Sequence, residues 1–197
     1  MSIQRKFLLA ICSVIAFLAL VIAIITVVTT SSSVVKQIEI QKQNTADRLV
    51  NILTVTDAIV LERVKSSMSL LKQRGGELGV PSHGDVVTVK DTPAQQLFLG
   101  SQAQANNFSL VDGLTEVMGG TATLFSKTGN DYIRVSTNVI KNDARAIGTK
   151  LAPTGKAIKQ IEQQKAYYGA VDILGSPYLT GYEPMFNAQG QVIGIWY

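Results

Sequence analysis

The 197-residue chain has one cysteine and one histidine. Cys12 lies in an apolar run near the start, which excludes an intramolecular disulfide and a cysteine metal site. His83, in the segment GVPSHGD at 79–85, has no cysteine or acidic cluster at ligand spacing and reads as a surface loop residue. There is no G-x-S-x-G, no phosphate-binding loop and no H-E-x-x-H, and the carboxylates are scattered, so the chain reads as a non-enzyme. No cofactor is implied. Charge is also scarce: 18 Lys and Arg against 14 Asp and Glu leave a net +4. The basic residues do not line one periodic face, which argues against a nucleic-acid partner. Between 34 and 78 there is no proline, and no glycine before Gly75.

What is present begins with an uncharged run at 7–35, richest in Leu, Ile, Val and Ala over 7–28. At about 1.5 Å of rise per residue that stretch matches the roughly 30 Å hydrocarbon core of a bilayer. It exceeds a secretory h-region, and no small-x-small site precedes Thr29-Thr30-Ser31-Ser32-Ser33. The expectation is an uncleaved signal anchor at 7–30. Arg5 and Lys6 before it leave residues 1–6 as a cytoplasmic tail and send everything after about residue 31 into the periplasm. The lipid bilayer is thus the first expected partner. A pilin-like subunit is a poor match, because no short leader ends before the run and no glutamate sits near its start.

Leu49, Ile52, Leu53, Ile59, Val60, Val64, Met68 and Leu71 recur mostly at three- and four-residue steps, which predicts a long amphipathic helix over 31–78 that ends at Gly75-Gly76. Its polar start at 41–48 suits a stalk. The helix either packs on its own domain alone or also pairs with a second copy, giving a homodimer. Beyond it, 79–85 reads as a loop, 94–104 as a short helix and VDGLTEV as a partly extended connection.

From Thr121 the period becomes two. TATLFS at 121–126, the turn at 128–131 and YIRVSTNV at 132–139 make a hairpin, with Ile133, Val135 and Thr137 on one face and Tyr132, Arg134, Ser136 and Asn138 on the other. Pro153 is placed to open a helix that turns Ala157, Ile158 and Ile161 inward. The runs 167–174, 177–186 and 191–197, with turns at Gly175-Ser176 and 187–190, read as a meander. The fold class that follows is α+β: a transmembrane helix continuing into a long helix packed on a PAS-like five-stranded antiparallel sheet with helices on one face, the domain proper being 79–197.

Five blocks in order, at 108–125, 131–139, 143–151, 166–185 and 190–197, resemble the extracytoplasmic single Cache domains of methyl-accepting chemotaxis proteins, of the Cache 3/Cache 2 fusion type. The resemblance implies a receptor whose outer domain binds a small molecule and signals through the membrane helix; a histidine kinase or other membrane signalling protein carries the same kind of domain. It also implies a second span, a HAMP linker and a cytoplasmic hairpin, which lie outside these 197 residues, so the chain is expected to be the sensor part.

A Cache pocket lies between the sheet and the segments that cover it. Arg134 is the first candidate, because a guanidinium in a strand of Ile, Val and Thr needs an acid: a ligand carboxylate, or one of Asp131, Asp172 and Glu183, if it does not simply face water. Tyr178, Thr180 and Tyr182 share a face of the fourth strand and offer aromatic walls with hydroxyls. Tyr168 and Asp172 share a face of the third strand. Arg145 and Thr149 border the pocket in the 139–151 loop. An organic acid is the expected ligand class.

Overall fold

A computed structural model describes residues 3–173 and 175–197. In chain order they form α1 (Ile3–Leu78), β1 (Pro81–Val89), β2 (Thr92–Leu99), β3 (Gln102–Ala103), α2 (Ser109–Met118), β4 (Thr123–Thr128), β5 (Asp131–Thr137), β6 (Ile140–Lys141), β7 (Ala144–Arg145), α3 (Lys156–Ile161), β8 (Tyr167–Ile173), β9 (Ser176–Phe186) and β10 (Val192–Trp196). Two units separate, Met1–Thr56 and Asp57–Tyr197.

The first unit is helical at every described position. Thr45 and Thr54 return their hydroxyls to the carbonyls of Gln41 and Val50, which satisfies them inside the helix. Leu49, Ile52 and Leu53 are exposed. Among the described residues no helix is long and apolar enough to cross a membrane, so the span expected at 7–30 is not found there. Residues 1 and 2 of the expected tail lie outside the described residues, as do the side chains at 5–7, 9, 10, 12, 13, 28–36, 38 and 40.

The second unit is built on an antiparallel five-stranded sheet of order β5-β4-β10-β9-β8. The hairpin and the meander expected from 121–139 and 167–197 are both there; Leu174, between β8 and β9, lies outside the described residues. Each face of the sheet has its own core. One gathers Leu124, Ile133, Val135, Met185, Ile193 and Trp196 with Met68 and Leu71 of α1, Leu97 and Leu99 of β2, and Val111 and Leu114 of α2. The other gathers Phe125, Tyr132, Tyr182, Ile195 and Tyr197 with Ala157, Ile158 and Ile161 of α3 and with Val139 and Ala146. The expectation of helices on one face only is thereby corrected: alternating apolar side chains point both ways along these strands, and each set needs a cover.

Three further readings change. The loop at 79–85 and the helix at 94–104 are instead strands of a three-stranded sheet, β1-β2-β3. Lys90, at φ 57°, makes the tight β1–β2 turn with Asp91. The connection at VDGLTEV is helix α2, which turns Val111 and Leu114 inward one helical turn apart. Its first turn is helped by Asn107, whose Oδ1 accepts from the Ser109 amide at 3.2 Å. Finally, α1 ends at Leu78, the expected bound, but Gly75-Gly76, read as helix breakers, lie inside it. Gly75 admits the Trp196 indole: a Cβ there would come within 2.7 Å of Trp196 Cζ3.

The small sheet docks on β4 through polar contacts. Ser126 Oγ donates to the Gln95 carbonyl at 2.7 Å, Gln95 N–H donates to Thr128 Oγ1 at 2.9 Å, and His83 Nε2 lies 3.1 Å from Ser126 Oγ. His83 is therefore a partly buried β1 residue at a sheet–sheet junction, not a surface loop residue. Burial lowers its pKa from about 6.5 and nearby Lys127 lowers it further, while a hydrogen bond with the backbone of Ile193 opposes them.

Two outcomes follow from these contacts. Gly75→Ala gains about 1 kcal/mol of helix propensity but overpacks the indole, for a net loss of about 1–2 kcal/mol in denaturant unfolding. For His83 the folded state binds its proton less readily than the unfolded state does, so stability falls as the pH drops below about 6.5. His83→Gln should flatten that part of the pH–stability curve, measured as unfolding midpoint against pH.

Candidate ligand-binding site

The hairpin β4–β5 carries a bulge at which Leu124 faces Ser136 and Phe125 faces Arg134. Arg134 thus stands on the α3 side of the sheet, with its Cζ 5.1 Å from the centroid of the Phe125 ring. The segment after β7 is stitched along the outer edge of β5: Arg134 N–H donates to the Thr149 carbonyl at 2.9 Å, and Gly148 N–H to the Arg134 carbonyl at 2.9 Å. The Arg134 side chain follows the same partner, Nη1 donating to Thr149 Oγ1 at 3.2 Å, while that hydroxyl donates onward to the Ala146 carbonyl at 2.8 Å.

Arg134 is 4% exposed. Its Nε–H is buried and has no hydrogen-bond partner among the described residues. Among the described residues no carboxylate pairs with it, and the three acids that competed for it are engaged elsewhere. Asp131 holds Lys150 at 2.6 Å, Glu183 holds Lys72 at 2.5 Å, and Asp172 accepts from the Gly175 amide at 2.9 Å. Burial lowers the pKa of Arg134, and the phenols of Tyr182 and Tyr197 oppose that shift. A guanidinium still keeps its proton at neutral pH, so a net positive charge is held inside the protein.

Around it stand aromatic groups with hydroxyls. The Tyr182 and Tyr197 rings lie 4.8 Å apart, and Tyr182 is 6.4 Å from Phe125. Burial pushes both phenols above the usual tyrosine range, so each keeps its proton. Tyr178 packs on the same core from β9. The arrangement is one cation with an unused N–H, protonated phenols and apolar walls, which matches a carboxylate carried on a small organic body. Among the described residues no group of His, Cys, Asp and Glu is placed to hold a metal ion.

The other sequence candidates sit elsewhere. Thr180 is buried and donates to the Gly169 carbonyl at 3.1 Å across the β8–β9 pair. Tyr168 packs against the α1-side core and donates to Glu183. Asp172 serves the β8–β9 turn. Arg145 is already paired, through two parallel bonds to Asp112 at 2.7 and 2.9 Å, and it covers the Phe108 ring at 4.3 Å. Phe125 and Tyr197 were missed as site residues. Phe125 was signalled by its place opposite Arg134 in the hairpin, and Tyr197 by standing two residues after Ile195.

The sequence model of one family, the Cache 3/Cache 2 fusion domain, matches residues 28–197. Comparison with curated proteins and with solved structures gives no match.

A buried cation without a carboxylate opposes folding, so Arg134→Met should leave the unliganded protein as stable or more stable, by roughly 1 kcal/mol or more. Denaturant unfolding of the two proteins side by side checks this. A loss of several kcal/mol would make Arg134 a structural residue.

Proposed function

Because the chain belongs to the Cache 3/Cache 2 fusion domain family, we propose that it is the ligand-sensing part of a bacterial transmembrane chemoreceptor, taking a small organic acid at Arg134. Cache domains are extracytoplasmic small-molecule sensor modules of chemoreceptors and histidine kinases, and the family is not catalytic. The observation that carries the organic-acid reading is the buried Nε–H of Arg134 with no acid beside it. A carboxylate there neutralises the charge, accepts a hydrogen bond from the idle N–H and meets the Tyr182 hydroxyl, while Tyr178, Phe125 and Tyr197, whose hydroxyl is bonded to Thr121, wall its carbon skeleton.

Membrane placement enters as part of the same reading. Leu8, Ile11, Val14, Phe17, Leu20 and Val27 are exposed at positions spread around the helix, an arrangement that water disfavours and lipid accepts. Residues 7–30 then span the inner membrane, and those after about 31 lie in the periplasm. The exposed Leu49, Ile52 and Leu53 support pairing of two copies through the stalk.

Contacts within the unit Asp57–Tyr197 support a route from site to helix. The covering segment 139–151 is clamped to α2 by Arg145 and Asp112, and α2 is held in turn by Arg74 of α1, which donates to the Gly113 carbonyl at 2.8 Å, and by Arg63, which donates to the Met118 carbonyl at 2.9 Å. Ligand that draws 146–149 toward Arg134 therefore biases the seat of α1 by its differential affinity for the two arrangements.

Acetate, lactate, succinate and malate, compared with amines of similar size, test the reading by thermal shift. At least one acid should raise the midpoint of the wild type, no amine should, and Arg134→Met should abolish the rise. An acid that stabilises both proteins equally sinks the assignment. In a Cys12→Ser background, cysteines at Ile52 or Ile59 should crosslink two chains in membranes, and their failure to do so favours a monomer.

A further inference from the structure

Tyr182 and Glu183 are consecutive residues of β9, and their side chains leave opposite faces of the sheet. Tyr182 belongs to the α3-side core, close to Tyr197 and to the Phe125 ring that Arg134 covers. Glu183 turns to the other side, where its carboxylate holds Lys72 of α1 at 2.5 Å and accepts from the Tyr168 hydroxyl. We propose that Glu183 is a positioning residue through which the state of the Arg134 site reaches helix α1, the Lys72–Glu183 pair closing or opening with that state. The proposal rests on the reading of Arg134 as the seat of an acidic ligand. It differs from the clamp through Arg145 and Asp112 in crossing the sheet itself, within one peptide unit.

Neighbouring strands bear on one stripe of α1. Lys72 and Gly75 are three residues apart and share a side of the helix. Glu183 takes the first, and its cross-strand partner Trp196 takes the second, with the indole seated where Gly75 leaves room. Val64 and Met68 continue the stripe at four-residue steps. Gly181 of β9 lies close to Val64: a Cβ there would stand 3.3 Å from Val64 Cγ1 and 2.6 Å from Tyr168 Cε1. Tyr168 pairs with Gly181 across the strands, so its ring crosses β9 over the bare glycine and its hydroxyl arrives at Glu183, two residues along.

Of these contacts, the ion pair is the one with two accessible arrangements. The indole against Gly75 is packed and buried, and it fixes the spacing of helix and sheet. The Lys72 side chain is 46% exposed, so its ammonium exchanges the carboxylate for water at little cost. Tyr168 stays on Glu183 when the lysine leaves, which keeps the half-buried carboxylate hydrogen-bonded in both arrangements. A carboxylate that engages the Tyr182 hydroxyl moves β9 at 182–183, and the same movement carries Glu183 relative to Lys72.

The test follows hydrogen exchange of the stretch 68–78 by mass spectrometry, on the full chain in lipid nanodiscs, for the wild type, Glu183→Gln and Lys72→Met. Acetate, lactate, succinate and malate are the ligand probes, and Tyr182→Phe disturbs the site without any ligand. An acid that raises the wild-type midpoint should change exchange across 68–78 by about threefold or more. In both variants the same acid should bind within about threefold of its wild-type affinity, while the exchange response falls to about a third or less. Tyr182→Phe should likewise alter exchange at 68–78 in the wild type but not in the Glu183→Gln background. A full response in Glu183→Gln, or a loss of affinity in step with the response, overturns the proposal. So does a Tyr182→Phe effect that is absent or that survives Glu183→Gln, whether or not any acid binds. Failure of all four acids to bind, with the Tyr182→Phe effect present and dependent on Glu183, overturns the ligand reading of Arg134 and leaves the relay standing.

Discussion

Strand β10 has to satisfy two cores at once, and the arrangement of the second unit follows from how it does so. Ile193 and Trp196 enter the α1-side core, while Val192, Ile195 and Tyr197 enter or border the α3-side core. Strict alternation cannot send Ile193 and Ile195 to opposite faces. The register slip between Val192 and Gly194 against β9 does it by inserting one residue. The inserted residue is Ile193, and the slip is completed at the next position, Gly194, where a Cβ would collide with the Phe125 carbonyl of β4. One glycine thus lets the central strand change phase, and a second, Gly75, lets the helix come close enough to cover the indole that the phase change sends toward it.

The α3-side core is the one that tolerates a charge. Arg134 is held by ring contact with Phe125 and by a single hydroxyl of Thr149, both weaker than an ion pair. Asp131 and Glu183 are committed to lysines, and Asp172 to a turn. A protein interior that keeps a cation and spends its carboxylates elsewhere is more costly to fold than an apolar one of the same shape. Such an arrangement is intelligible where an incoming anion restores the balance. The opposite face, with Glu183 bound by both Lys72 and Tyr168, closes its own polar accounts and has no comparable need.

Much of this was legible in the sequence because it is local. The β4–β5 hairpin, the β8–β9–β10 meander and the inward set Ala157, Ile158 and Ile161 each announce themselves within a few residues through period and turn chemistry. Arg134 was legible because a charge interrupts an apolar alternation. The rest depended on distant partners. The β1–β2 turn has Lys90 at positive φ where a glycine or asparagine would have signalled it. Gly113 disguised α2 as a connection. Gly75 looked like a helix terminator until Trp196, far along the chain, supplied the reason for it. Arg145 resembled a ligand residue because its true partner, Asp112, lies 33 positions earlier in a helix that periodicity had not revealed.

The segment 146–151 has a consequence for the protein's behaviour under stress. Its hydrogen bonds to Tyr132 and Arg134 close the outer edge of β5, whereas β8, at the other flank of the sheet, pairs with β9 alone. An uncovered strand is a template for a second chain, and β8 blunts that role with Gly169 and with Asp172 near the turn. A disturbance that peels 146–151 away therefore exposes a second template on a strand rich in Ile, Val and Thr. The same few hydrogen bonds that frame the candidate site also keep the sheet from growing sideways into an aggregate.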